Sequence, residues 1–349
     1  MSTTCKLPYR RPLHTCSRNQ RAFLASTLLA SIITAAIALL QRHAYYHQLE
    51  LDVAWDGQVE NFTYPGNGNF VVPNIVHFIR LGDAPLLFVE AVCIRAAWLQ
   101  QRPEALMIHC DICNATASSS LWYLIKDIPV LSLRRIERPT KIFGVEFSYV
   151  QHASDVLRAL VLMEYGGIYL DSDSYLVKSL DPYRKFEMAI GWTPGEYVGS
   201  QVLVAHKNAR YLRLWYESYQ LYRPELWYWN AGELPTKKFL FVRPELVNRV
   251  PYDFGVSEDV GVTLYGQCND RWREFSAFHL FWRHRARLVP SDSERYGPLT
   301  LDTIANYDRN YGQMARLVLS GTTRLGAKEI KSINWLSKNP LDYSKHGCS

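Results

Sequence analysis

The stretch "ASDVLRALVLMEYGGIYLDSD", Ala153 to Asp173, decides the fold. Ser154 to Tyr165 contains no glycine or proline, and Ser154 or Asp155 suits an N-terminal cap, so a helix is expected there. Gly166-Gly167 then reads as a tight turn, with Gly166 as a left-handed helix cap. That structural role is sufficient for both glycines. "IYL" follows as a buried strand, and two acids stand at its end. Ligands of open α/β sheets bind just outside the carboxyl ends of the strands. In an extended strand Asp171 and Asp173 project to one side, with Cα atoms about 6.6 Å apart. Carboxylates that close repel each other unless a cation or proton lies between them. Hard oxygen ligands suit Mg²⁺, Mn²⁺ or Ca²⁺.

An Asp-x-Asp alone is commonly a solvated strand end. The helix before it supplies context. Asp155 and Arg158 are neighbours at i, i+3 on a helix that is otherwise apolar on nearly every side. Charged groups on a buried helix need partners. Either the two pair with each other, or they face a ligand site where Arg158 meets phosphate or sugar oxygens.

Outward from this stretch the pattern alternates. "FVVPNIVHFIRLG" reads as a buried strand, Ile75 to Ile79, closed by Gly82. A helix is expected from Leu86 to Gln100 with Pro85 in its first turn. Strands are expected at Glu104 to Asp111, within "IPVLSLRRI", within "FEMAIGWT" and within "SQVLVAHK", and a helix from Ala209 to Leu221. Beyond Tyr222 aromatic residues and prolines dominate, and no regular element is read. Alternating strands and helices predict an α/β chain with a mostly parallel sheet.

The net charge is +6, from 39 basic and 33 acidic residues. Residues 1–21 hold Lys6, Arg10, Arg11, Arg18 and Arg21 and no acid, leaving 34 basic against 33 acidic residues elsewhere. An excess confined to a tail gives no basic face for nucleic acid. Ala22 to Leu40 carries no charge, and as a helix spans about 28 Å, close to a bilayer's hydrocarbon thickness. The basic tail before it predicts a retained single-pass anchor with the remainder exported. The expected organisation is a cytosolic tail (1–21), a transmembrane signal anchor (22–40), a luminal stem (41–70) and a catalytic domain (71–349). Asn61-Phe62-Thr63 and Asn114-Ala115-Thr116 are sequons consistent with export. Cys5 and Cys16 precede the anchor; Cys93, Cys110, Cys113, Cys268 and Cys348 follow it. An odd set of five leaves at least one thiol without an intrachain partner. Cys110-x-x-Cys113 lacks the second pair that zinc would need, so a disulfide among Cys93, Cys110 and Cys113 is expected.

The run from Ala153 to Asp173 resembles the signature of glycosyltransferase family 32, whose sugar-binding region carries a D-x-D motif. "VPNIVHFIRLG" resembles that family's opening strand. "VEAVCIRAAWLQQRPEALMIHCD" is similar to the next helix and strand of its alpha-1,4-galactosyltransferase-like members. The resemblance implies a GT-A type, Rossmann-like nucleotide-sugar transferase fold behind an N-terminal transmembrane helix. It implies a Golgi type II membrane enzyme that uses Mn²⁺ (or Mg²⁺) and a nucleotide-sugar donor such as a UDP-sugar. The acceptor would be a glycan or glycolipid hydroxyl. It implies Asp171 and Asp173 as metal and diphosphate ligands, Asp155 and Arg158 as donor-binding residues, and His77 and Phe78 as the first-strand end lining the nucleotide pocket. Many such enzymes take a further metal ligand from a late histidine, and "FHLFWRHR" offers His279, with His284 second. Glu258 and Asp259 are possible acceptor-side acids, and Gln201 stands near where the family commonly has an asparagine. Two other readings compete. A glycosidase needs carboxyl groups facing each other across a sugar bond, which parallel acids on one strand fit poorly. A membrane-anchored, inactive glycan-binding protein would keep the same fold, and Leu226 to Trp229 suits sugar stacking in either case.

Overall fold

The computed structural model describes residues 26–27, 29–38, 40, 70–325, 336 and 341–344. The basic tail, Cys5, Cys16, the Asn61 sequon, Cys348 and all of the expected stem except Phe70 lie outside the described residues. The chain divides into two compact units, Met1–Gln58 and Val59–Ser349. In the first, the described residues are helical and expose Leu29, Ile32, Ile33, Ile37 and Leu40. The hydroxyls of Ser31 and Thr34 donate to the carbonyls of Thr27 and Ala30, each at 2.9 Å. The expected anchor is described only in part, and among the described residues no helix is long and apolar enough to cross a membrane.

The second unit is built on a seven-stranded mixed sheet. Its strands are β1 (Ile75–Arg80), β2 (Ala105–Cys110), β3 (Leu131–Arg135), β6 (Gly167–Leu170), β8 (Met188–Gly191), β9 (Gly199–Ala205) and β10 (Asn248–Val250), in the order β10-β8-β9-β6-β1-β2-β3. β4 (Lys141–Ile142) and β5 (Val145–Glu146) form a separate hairpin. β3, β2, β1 and β6 are parallel; β9 runs antiparallel between β6 and β8. The expectation of a mostly parallel sheet holds, with β9 as the exception. This is the α/β class expected from the alternating strands and helices.

Strand alternation sorts the two faces. Val76, Phe78, Leu106, Ile108, Ile168 and Leu170 join one continuous core with helix α1 (Phe88–Gln101). Their neighbours His77, His109 and Tyr169 meet helix α2 (Val150–Tyr165) instead, through Tyr165 and Arg158. α2 also packs against helix α3 (Arg210–Ser218). α1 begins at Phe88, three residues beyond Pro85, and the Glu90 carboxylate accepts from the Leu87 amide at 2.8 Å. Pro85 therefore precedes the helix rather than opening it. Arg80 at the end of β1 binds Glu90 at 3.0 Å and donates to Thr116 at 2.6 Å. Thr116 of the second sequon is thus buried, while Asn114 is exposed.

α2 starts four residues earlier than expected, and Ser154 and Asp155 lie inside it. The extra turn is held by tertiary contacts. His152 accepts from the Tyr222 hydroxyl at 2.5 Å and donates to the Trp227 carbonyl at 3.1 Å. The helix ends at Gly166, whose φ of +66° and ψ of −174° lie in a region open to glycine but differ from the left-handed helical cap expected. Gly167 follows at φ +115°, and a Cβ there would stand 2.5 Å from the Ile75 carbonyl oxygen. Only glycine lets β6 start so close to β1.

A second, three-stranded sheet has the order β11 (Phe254–Gly255), β12 (Ala277–His279), β7 (Ser174–Leu176). β12 runs antiparallel to β7, with His279 opposite Ser174. Cys110 and Cys113 form a disulfide, and Cys93 is the buried free thiol left by the odd count. Cys268 is also disulfide-bonded.

Candidate active site

Asp171 and Asp173 do not continue β6. The strand stops at Leu170, and the Ser174 amide donates to the Asp171 carbonyl at 2.8 Å, closing a tight turn into β7. The acids converge through this turn rather than by sharing a strand face. The turn is pinned on both sides. The Asp171 amide donates to the Gln201 carbonyl of β9 at 2.9 Å, and the Leu280 amide donates to the Asp173 carbonyl at 2.9 Å.

Asp171 is gripped from α2. Arg158 lies 2.9 Å from Asp155 and 3.1 Å from Asp171, and donates to the carbonyl and hydroxyl of Ser200 at 2.9 and 2.8 Å. Its guanidinium lies 4.9 Å from the centre of the Tyr169 ring, and the Tyr169 hydroxyl donates to Asp171 at 2.7 Å. Of the two readings, the structure shows the mutual pair, and Arg158 extends it to Asp171 of the motif. Arg158 is enclosed, so it meets the site through Asp171. Burial pushes the Asp155 carboxyl up to about 6, against the pull of Arg158. Burial also disfavours charge on Arg158, but Asp171, Tyr169 and Asp155 outweigh it and hold the guanidinium more firmly protonated than usual. Tyr169 and Ser200 carry no motif; Tyr169 is detectable in the sequence only as the in-phase residue two before Asp171.

Asp173 is gripped from β12. His279 Nε2 lies 3.1 Å from Asp173 and 3.8 Å from Asp171, and the Trp282 amide donates to Asp173 at 3.2 Å. Burial opposes charge on both partners. The imidazole nonetheless brings Asp173 down to about 2, and Asp173 raises the basicity of His279. Both aspartates keep about a fifth of their side-chain surface open, 20% and 22%.

The donor set suits a divalent cation. Two bonds of about 2.1 Å at a right angle place ligand atoms about 3.0 Å apart, near the observed 3.1 Å. His279 Nδ1 is buried without a partner, and two carboxylates supply hard oxygens. Among the described residues, however, no three such side chains already stand splayed around a cation. His279 bonds Asp173 at 3.1 Å and stands 3.8 Å from Asp171.

His77 is fully buried; Nε2 donates to the Gly166 carbonyl at 2.9 Å and Nδ1 lies 3.1 Å from His109 Nε2. Phe78 is fully buried in the α1 core. Neither offers open surface to a nucleotide, and both serve the packing of β1. His284 bonds Glu258 at 2.9 Å in an exposed cluster with Arg287, with the Phe281 ring between it and His279. The Gln201 amide oxygen is buried without a partner beside the turn. A cavity of about 270 Å³ opens at the ends of β2 and β3, lined by Asp111, Ile112, Cys113, Asn114 and Arg135. Neither Asp171 nor Asp173 lines it.

Residues 91–189 match the family described as "Glycosyltransferase sugar-binding region containing DXD motif". The chain is 24% identical over 182 residues to Glucan organizing enzyme 1 of Cryptococcus neoformans var. grubii, covering 47% of this chain and 48% of that protein. It thus spans about half the length of that curated relative. Among solved structures it is similar to the PaToxG glycosyltransferase, at 16% identity and a TM-score of 0.37 over 80% of this chain and 98% of that one. It is also similar to an active-site mutant of LgtC, at 12% identity and a TM-score of 0.37 over 73% and 98% of the two chains. Likenesses this loose add nothing to the geometry. Asp155, Arg158, Asp171 and Asp173 all fall inside the matched region, and Asp171-Ser172-Asp173 stands there as the D-x-D that the family's description names.

Proposed function

We propose that the chain moves a hexose from a nucleotide sugar, a UDP-sugar, to a hydroxyl of a glycan or glycolipid in the Golgi lumen. The observation that supports this is the convergence at the D-x-D turn. A histidine more than a hundred residues downstream meets both acids at the carboxyl end of β6. Asp171, Asp173 and an unprotonated His279 would hold Mn²⁺ or Mg²⁺. When bound, that cation supplies positive charge against the departing nucleoside diphosphate. Arg158 and Tyr169 fix the orientation of Asp171, and Asp155 holds Arg158. These two helix residues act on the donor side through that grip. Trp282 fixes Asp173 through its backbone amide.

For location, we propose a single-pass type II membrane protein with the second unit luminal. The uncharged run Ala22–Leu40 supports this, as do its exposed leucines and isoleucines and its internally bonded Ser31 and Thr34 hydroxyls. The Cys110–Cys113 disulfide suits an oxidising compartment.

The test is a panel of UDP- and GDP-sugars with the full chain in detergent, reading nucleotide release with and without Mn²⁺. The expected result is Mn²⁺-dependent release that is lost in Asp173→Asn with folding retained. Release indifferent to Mn²⁺, or full activity in Asp173→Asn, refutes the mechanism. A chain that binds UDP and Mn²⁺ yet releases and transfers nothing is the inactive binding protein instead.

A further inference from the structure

Tyr149 and Trp227 expose 45% and 55% of their surface, and the adjoining Val150 and Leu226 expose 42% and 38%. The two rings meet edge to face, with centroids 5.2 Å apart and planes at 77°. His152 sits behind them, in edge contact with Tyr149. Its bonds to the Tyr222 hydroxyl and the Trp227 carbonyl lock the α2 start to the Trp227 segment. The corner is therefore rigid while its faces stay in water.

Its position is fixed by topology. α2 ends at the turn that starts β6, so its other end lies at the carboxyl end of β6, beside the D-x-D turn. From Val150 to Asp155 is about 7.5 Å along the helix axis. Asp155 joins Arg158, and Arg158 joins Asp171. The Trp227 side is tied to the same end independently. The Tyr228 hydroxyl donates to the Val198 carbonyl, just ahead of β9, whose Gln201 bonds the Asp171 amide.

We infer that Tyr149 and Trp227 form a subsite for a pyranose ring of the acceptor saccharide. This rests on the transferase reading and names where that reading's second substrate docks. A pyranose presents one apolar C–H face and a rim of hydroxyls. An aromatic corner covers the face, while the Tyr149 hydroxyl and the flanking Gln151 and Glu225 suit the rim. A bilayer surface is the rival occupant. Surfaces that lie on membranes combine apolar residues with lysine or arginine. The four exposed residues include neither, and Glu225 beside Leu226 adds negative charge.

The test is direct saccharide binding by the full chain in detergent. Saturation-transfer NMR is run with methyl β-lactoside, chitobiose and mannobiose on the wild type, Trp227→Ala, Tyr149→Ala and Trp227→Phe. The expected result is binding of at least one probe, weakened about tenfold in each alanine variant and less in Trp227→Phe. Thermal unfolding checks each variant, and Trp227→Phe keeps the test valid if an alanine variant misfolds. No binding to any probe by the wild type, or unchanged binding in the variants, overturns the inference. Quenching of tryptophan fluorescence by brominated lipid in nanodiscs that falls in Trp227→Phe, while saccharide binding is the same in all variants, overturns it in favour of a membrane contact. Donor release is scored separately on the wild type. Its absence beside intact saccharide binding sinks the transferase reading and leaves a sugar-binding corner.

Discussion

Acid should weaken the brace beneath the D-x-D strand. His77 and His109 are both buried and face each other at 3.1 Å, and His77 also holds the Gly166 carbonyl where α2 turns into β6. Burial is the main cause that pushes both rings from 6.5 down to about 4. The folded pKa lies below the unfolded one, so the unfolded chain takes up these protons first as pH falls. The stabilisation is complete above pH 6.5 and is lost as pH drops towards 4. A gap of about 2.5 pH units corresponds to ~3.4 kcal/mol for one ring, of which ~2 kcal/mol is gone at pH 5. The perturbation is His109→Gln, whose amide still offers a donor to His77 Nδ1. Thermal unfolding is followed from pH 7.5 to 4.5 for both proteins. At pH 7.5 they should melt within a few degrees of each other. By pH 5 the wild type should have lost ~4–8 °C more than the variant. Parallel pH curves would refute the reasoning, because they would mean that His109 charges freely in the folded protein.

Other consequences follow from the same contacts. Tyr169→Phe removes a 2.7 Å bond to the Asp171 carboxylate and leaves the ring packing intact. A bond to a charged group contributes ~1.5–3 kcal/mol, so the variant should melt several degrees lower and lose donor turnover ~10–100-fold when assayed well below its melting temperature. Arg158→Met leaves Asp155 and Asp171 without their cation and should cost ~3–5 kcal/mol in urea unfolding. Adding Asp155→Asn should recover part of that loss. Cys113→Ser opens a loop of only four residues and should cost about 2 kcal/mol by chain entropy, a modest change in the denaturation midpoint.

Several elements were legible from local pattern because local physics decides them. The buried strand at Ile75, the helix ahead of Gly166, and the two glycines required by positive φ are set by side-chain period and backbone sterics. The start of α2 was not, because His152 holds that turn with partners seventy residues away. The strand geometry assumed for the two aspartates also failed. A turn bonded from Ser174 to Asp171 replaces it, and nothing in "LDSDSY" excludes a continuing strand. His77 shows the opposite limit. Its place on the opening strand is visible, but the strand phase that turns it onto Gly166 and His109 is fixed only by packing.

The sequence by itself determined that two acids stand at the end of a buried strand, behind a buried helix carrying Asp155 and Arg158. Apolar period, glycine placement and charge type are properties of neighbouring residues, and they survive without any fold. Only the tertiary structure decided what those acids meet. Arg158 bridges Asp155 to Asp171, Tyr169 points its hydroxyl at Asp171, and β12 pairs with β7 to bring His279 to both aspartates. The physical reason is distance along the chain. Sheet pairing brings residues a hundred positions apart within hydrogen-bond reach, and no local pattern records which strand will lie beside β7.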